Sequence, residues 1–178
     1  MKKDYELIFK ATQMLLKGLG EDLSRDGIKE TPDRVARMWT GFNGREKPNM
    51  KTFDCNRYNE MVVVKELPFY SFCEHHLLPF FGTARIGYLP EKKVLGLSKI
   101  ARLLDFYALR PQIQEHLTMQ VAEDMMKLLK PKGVGVVLEA EHLCMSLRGV
   151  QKSGHRTVTS CLLGKFQDQK VREEFLRL

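Results

Sequence analysis

Phe80-Phe81-Gly82-Thr83-Ala84-Arg85-Ile86-Gly87-Tyr88-Leu89, then Pro90-Glu91-Lys92-Lys93, then Val94-Leu95-Gly96-Leu97-Ser98-Lys99, is the stretch on which the architecture turns. Its first ten residues read as a strand and the charged, Pro-led quartet as a turn. Ser98 reads as the cap of a helix carrying Ile100, Leu103, Leu104 and Tyr107. Upstream, Met61 to Leu67 predicts another strand. Downstream, Pro111 opens a longer helix with Ile113, Leu117, Val121, Met125 and Leu128 on one side. Gly133 to Leu143 and Thr157 to Leu163 are β-rich segments separated by a Gly-containing loop. Strands, two helices, then strands again predict an α+β domain, an antiparallel sheet covered on one face.

Ahead of this lies a helical pair. Residues 4–18 place Tyr5, Leu7, Ile8, Ala11, Met14, Leu15 and Leu16 on a helical stripe. Thr31-Pro32-Asp33-Arg34 starts a second helix, and Gly41 to Asn49 reads as a linker. The chain is therefore expected to divide into a helical segment, 1–55, and an α+β domain, 56–178.

With 43% hydrophobic and 29% charged residues among 178, a folded core is expected rather than disorder. No apolar run nears the ~20 residues of a membrane span, and Lys10 interrupts any signal-like start, so a cytoplasmic protein is expected. A net charge of +7 fits either a mildly basic surface or an anionic partner such as a nucleotide. In that setting, Cys55, Cys73, Cys144 and Cys161 point to metal binding or burial, not to disulfides.

Cys73-Glu74-His75-His76 packs three possible ligands into four residues, and a tight turn brings the ends of Cys-x-x-His onto one ion. Thiolate with imidazole suits Zn²⁺ better than Ca²⁺ or Mg²⁺. In Glu139-Ala140-Glu141-His142-Leu143-Cys144, a strand would point His142 and Cys144 the same way. Four candidate ligands, Cys73, His76, His142 and Cys144, thus come from two places, with His75 to spare. Spacing leaves open whether the zinc is structural, with four protein ligands, or catalytic, with three and a water. The surplus histidines favour the second, since imidazoles beside activated water can move protons.

Ser98-Lys99-Ile100-Ala101-Arg102 combines a helix start with two cations three apart, which serves either as a phosphate cradle or as a solvated basic face. Gln114 and Glu115 offer an amide and a carboxylate that could read the donor-rich edge of a guanine; taken locally, an ordinary capped helix start with Glu115 favouring the dipole is the preferred reading. Arg148, four after Cys144, brings positive charge near the cluster, whereas Arg34 reads as structural.

Taken together, Cys-Glu-His-His at 73–76, Gly-Leu-Ser-Lys at 96–99, Pro-Gln-Ile-Gln-Glu at 111–115 and His-Leu-Cys-Met with Arg-Gly at 142–149 closely resemble GTP cyclohydrolase I. Glu30-Thr31-Pro32-Asp33-Arg34, Thr157-Val158-Thr159-Ser160 and the Arg-Glu-Glu-Phe-Leu ending match as well. The resemblance implies the tunnelling fold, with active sites at subunit interfaces of a homodecamer. It implies hydrolysis of the imidazole ring of GTP, formate release and ribose rearrangement to 7,8-dihydroneopterin triphosphate, the first step towards folate or tetrahydropterin. By this resemblance Cys73, His76 and Cys144 hold zinc, His142 and His75 transfer protons, and Ser98 assists at the ribose. Gln114 and Glu115 would bind guanine, and Lys99, Arg102, Arg148 and Arg34 the triphosphate. Two positions depart from the family pattern: His116, where Arg is usual, and His155, where Ser is more usual. From the short N-terminal segment, little room for a regulatory extension is expected. The competing readings are a structural-zinc module for nucleic acid and another purine- or pterin-handling enzyme. The first lacks interleaved aromatic and basic residues.

Overall fold

A computed structural model describes residues 4–42 and 46–178, which fall into two compact units, Met1–Gly44 and Arg45–Leu178. The first holds helices α1 (Tyr5–Gly18) and α2 (Thr31–Phe42). Asp4 caps α1 by accepting from the Leu7 N–H at 2.9 Å, and the Tyr5 hydroxyl ties the pair together by donating to Asp33 at 2.5 Å. Of the expected linker, Asn43, Gly44 and Arg45 lie outside the described residues, and Gly41 and Phe42 are still helical.

In the second unit β1 (Thr52–Asp54) pairs with β4 (Lys93–Leu95) as a separate ribbon. The main sheet has the order β5-β2-β3-β6-β7, formed by Pro111–Gln112, Val62–Cys73, Pro79–Leu89, Gly133–His142 and Thr157–Gly164. Helices α3 (Leu97–Ala108) and α4 (Gln114–Leu129) cover one face, the α+β tunnelling-fold arrangement. Alternation along the strands builds the core: Ile86 and Tyr88 on β3 and Val134, Val136 and Leu138 on β6 are fully buried with Ile100, Leu103, Leu117, Val121 and Met125 of the helices.

The same alternation sends Gly87 and Gly135, paired across β3 and β6, to the opposite face. There Phe175 of α6 (Gln169–Arg177) and Phe166 of the preceding 3₁₀ turn fill the slot the missing side chains leave. A Cβ at Gly135 would lie 2.4 Å from the Phe166 ring. The sheet thus has a small second cover beyond the single helical layer expected.

Three local expectations change. β2 carries a bulge between Val64 and Leu67, with Glu66 at φ 59°, and then runs six residues past Leu67, through Pro68. Proline is tolerated there because β5 reaches only Phe72 and Cys73, leaving Pro68 on a free edge where no N–H is needed. Pro111 opens no helix: it pairs in parallel with Phe72, and α4 begins at Gln114. Ser98 is not a cap, since α3 starts at Leu97 with Gly96 in the capping position.

Gly82 tests the sheet. A Cβ there would fall 1.8 Å from the Glu139 carbonyl oxygen and 2.7 Å from the Ala140 Cα, both backbone atoms of β6. Gly82→Ala is expected to cost about 3 kcal/mol or more in urea unfolding. Gly18→Ala, with nothing within 4 Å of its Cβ, should stay within about 1 kcal/mol of wild type.

Candidate metal and catalytic centre

The chemistry gathers at one end of the sheet. β2 ends there at Cys73, β3 begins at Pro79, β6 ends at His142 opposite Phe80, and β5 leads into α4 at Gln114. Between β2 and β3 the chain turns tightly. The Cys73 carbonyl accepts from the Leu77 N–H at 2.8 Å, and the Cys73 N–H donates to the Leu78 carbonyl at 2.8 Å. Leu77 takes φ 54°, a left-handed conformation that costs a branched residue of order 1–2 kcal/mol. This strained turn brings His76 back over Cys73, as the Cys-x-x-His spacing predicts.

Cys144 arrives differently from the expectation. The strand stops at His142, and Leu143–Ser146 form one helical turn, α5, so His142 and Cys144 do not share a strand face. The change of period separates the two side chains into different jobs. One donor atom each from Cys73, His76 and Cys144 lies within 4.8 Å of the others, and His142 is not in that group.

These donors fit zinc. Cys73 Sγ and His76 Nδ1 are 3.7 Å apart, and a tetrahedral ion with ordinary Zn–S and Zn–N bonds separates such atoms by about 3.6 Å. Two thiols and an imidazole form the soft-to-borderline set that Zn²⁺ prefers, with three protein ligands leaving a fourth position. Burial and the adjacent Cys73 thiol push the Cys144 thiol above its ordinary value. A cation between the sulfurs removes that cost. Zn²⁺ is accordingly the cofactor.

Around the cluster, His75 Nδ1 also lies 3.7 Å from Cys73 Sγ, and an Arg148 guanidinium nitrogen is 2.8 Å from His76 Nε2. His142 stacks flat on Phe80, with ring centres 4.5 Å apart and planes 2° from parallel. Its Nε2 is 2.7 Å from Gln114 Oε1. Burial first, and the facing His155 second, hold the His142 pKa below the usual histidine range, against the raising effect of Glu115. The imidazole is therefore neutral at pH 7.

Gln114 is buried, and its amide also bonds to Leu138, Thr157 and Thr159, while Glu115 beside it is exposed. Ser98 and Arg102 lie on the exposed side of α3 with Lys99 half-buried; among the described residues none of the three bonds to the cysteine–histidine cluster. Arg34, on α2 in the first unit, pairs with Glu30 at 2.6 Å. Sequence reasoning noticed His155 only as a departure. In the fold its Nε2 accepts from the His142 backbone N–H at 3.4 Å. Phe80, Thr118 and Thr159 were also missed as parts of this site. The signal for Thr159 was its period-two partner Thr157, which places both threonines on one face of β7.

A Cys–His–Cys metal site beside a half-buried histidine is a donor set suited to metal-dependent hydrolysis. The family model for GTP cyclohydrolase I matches residues 8–178. GTP cyclohydrolase 1 of Aquifex aeolicus is 57% identical, with 100% of this chain and 98% of that protein covered. The GTP cyclohydrolase 1 of Saccharomyces cerevisiae is 48% identical over 99% of this chain and 75% of its own length. Among solved structures, the apo form of the archaeosine synthase QueF-Like shows a weaker likeness, with TM-score 0.48 and 16% identity over 61% of this chain and 97% of that one. The chain belongs to the GTP cyclohydrolase I family, and is an enzyme of that type.

Purified protein is expected to carry one zinc per chain by elemental analysis. Cys144→Ser should weaken binding by more than the ~10–100-fold that substitutions in outer-shell partners cost. Zinc uptake by metal-free protein should release at least one proton per chain, because the raised Cys144 thiol is protonated at neutral pH and must ionise to ligate. An indicator-dye titration reads the release.

Proposed function

We propose that the protein hydrolyses the imidazole ring of GTP, releases formate, and rearranges the ribose to give 7,8-dihydroneopterin triphosphate. The observation that carries this reading is the placing of neutral His142 and the Cys73–His76–Cys144 donors at the same end of one sheet. Zinc held by these three residues supplies Lewis-acid activation of water near neutral pH.

The chain's own groups do the rest. His142, kept neutral by burial, takes a proton and returns it, a contribution of about 10²–10⁴ in rate. His75, against Cys73, is the second proton-transfer group. Ser98 assists at the ribose. The exposed Glu115 carboxylate accepts from adjacent N–H groups on the guanine edge, and buried Gln114 completes that end of the pocket from behind. Lys99, Arg102 and Arg148 bind the triphosphate. Arg34 reaches the triphosphate of a neighbouring subunit in a homodecamer with sites at its interfaces. Four free cysteines fit a cytoplasmic setting, and among the described residues no helix is long and apolar enough to cross a membrane.

Incubating zinc-loaded protein with GTP should yield formate together with a pterin that fluoresces after oxidation. Formate without pterin would mean a different product; no formate despite full zinc would leave the site structural. His142→Ala should keep its zinc and lose about 10²–10⁴ in turnover. Inosine triphosphate, which lacks the exocyclic amine, should be a much poorer substrate than GTP, and Glu115→Gln should narrow that difference.

A further inference from the structure

The hydrogen bonds around Gln114 fix the direction of every proton in the network. Thr118 Oγ1 lies 2.7 Å from the Gln114 backbone carbonyl, which only accepts, so Thr118 spends its one hydroxyl proton there. The 2.6 Å contact between Thr118 and Thr159 hydroxyls then has Thr159 as donor. Thr159, its own proton used, presents a lone pair to the Gln114 amide at 3.1 Å. The carbonyls of Leu138 and Thr157 face the same amide atom at 3.1 and 3.0 Å. Three acceptors surround it, so it is the NH₂ group. The reverse orientation would set a carbonyl oxygen against all three in a buried site, at a cost of several kcal/mol.

The other end of the amide is therefore an oxygen, and it lies 2.7 Å from His142 Nε2. An oxygen without a proton requires a donor, so Nε2 carries the imidazole hydrogen. Phe80 beneath the ring fixes its plane. His155 is set in the opposite sense: its Nδ1 donates to the Lys152 carbonyl at 2.7 Å, leaving Nε2 to accept from the His142 N–H. We propose that Gln114 is a positioning residue, oriented by Thr118 and Thr159, that holds the His142 hydrogen on Nε2 and reserves Nδ1 as the ring's basic atom. Its consequence for turnover rests on the GTP cyclohydrolase reading; the tautomer does not.

The test is long-range ¹H–¹⁵N spectroscopy of zinc-loaded, ¹⁵N-histidine-labelled full-length protein at mildly alkaline pH. Wild type is expected to show His142 Nε2 as the protonated nitrogen and Nδ1 as the bare one. In Gln114→Leu the two shifts should move towards each other as the second tautomer becomes populated. Turnover should fall about 10–100-fold, as for other orienting groups, with zinc content kept and KM for GTP changed only a few-fold. Thr159→Val, which removes an acceptor but leaves the amide, should shift the spectrum the same way by less. Thr159→Ser should restore the wild-type pattern, and this pair decides the matter if Gln114→Leu does not fold. A protonated Nδ1 in wild type overturns the proposal, as does an unchanged His142 spectrum in Gln114→Leu or, where that variant does not fold, in Thr159→Val. Absence of GTP turnover in wild type with the expected spectrum would count against the enzyme reading alone.

Discussion

β3 pairs with β6 in a register that sets Phe80 opposite His142, and from that pairing the rest of the site follows. It lays the aromatic ring under the imidazole and ends β6 beside the turn that carries Cys73 and His76. It also starts α5 where Cys144 can meet them. A slip of one residue would turn His142 to the other face of the sheet and set Gly87 opposite a residue other than Gly135. The two faces enforce the register jointly. Apolar side chains on one face need the helices, and the glycine pair on the other face needs Phe166 and Phe175.

Within that frame, the histidines have different environments. His76 belongs to the ligand group, whereas His142, two residues from Cys144, is withheld from it because the strand gives way to a helical turn. Burial and His155 then keep His142 uncharged. The metal ligands and the neutral imidazole are thus produced by one change of backbone period.

The sequence made much of this legible. Cys-x-x-His implies a turn because no flat strand can bring both side chains to one point, and the turn is there. Alternating apolar residues identified β3, β6 and β7 because a half-buried strand cannot hide its period. Other features depended on distant partners. Three residues are too few to separate a strand from a helical turn, so the path from His142 to Cys144 was misjudged. Pro111 looks like a helix opener until its pairing with Phe72 is known. The bonds of the buried Gln114 amide were not legible, because its partners Leu138, Thr157 and Thr159 are remote along the chain.

The meeting of Cys73 with Cys144 also makes the ion a cross-link. Any metal bound by both ties together, in the folded state, the two ends of the long loop of chain that includes β3, α3, α4 and β6. Because those ligands converge only when β2, β3 and β6 are paired, an ion present at ~1,000 times its dissociation constant adds about 4 kcal/mol to the native state. Metal supply therefore sets the durability of the folded chain as well as its chemistry, so a metal-starved cell would lose both together.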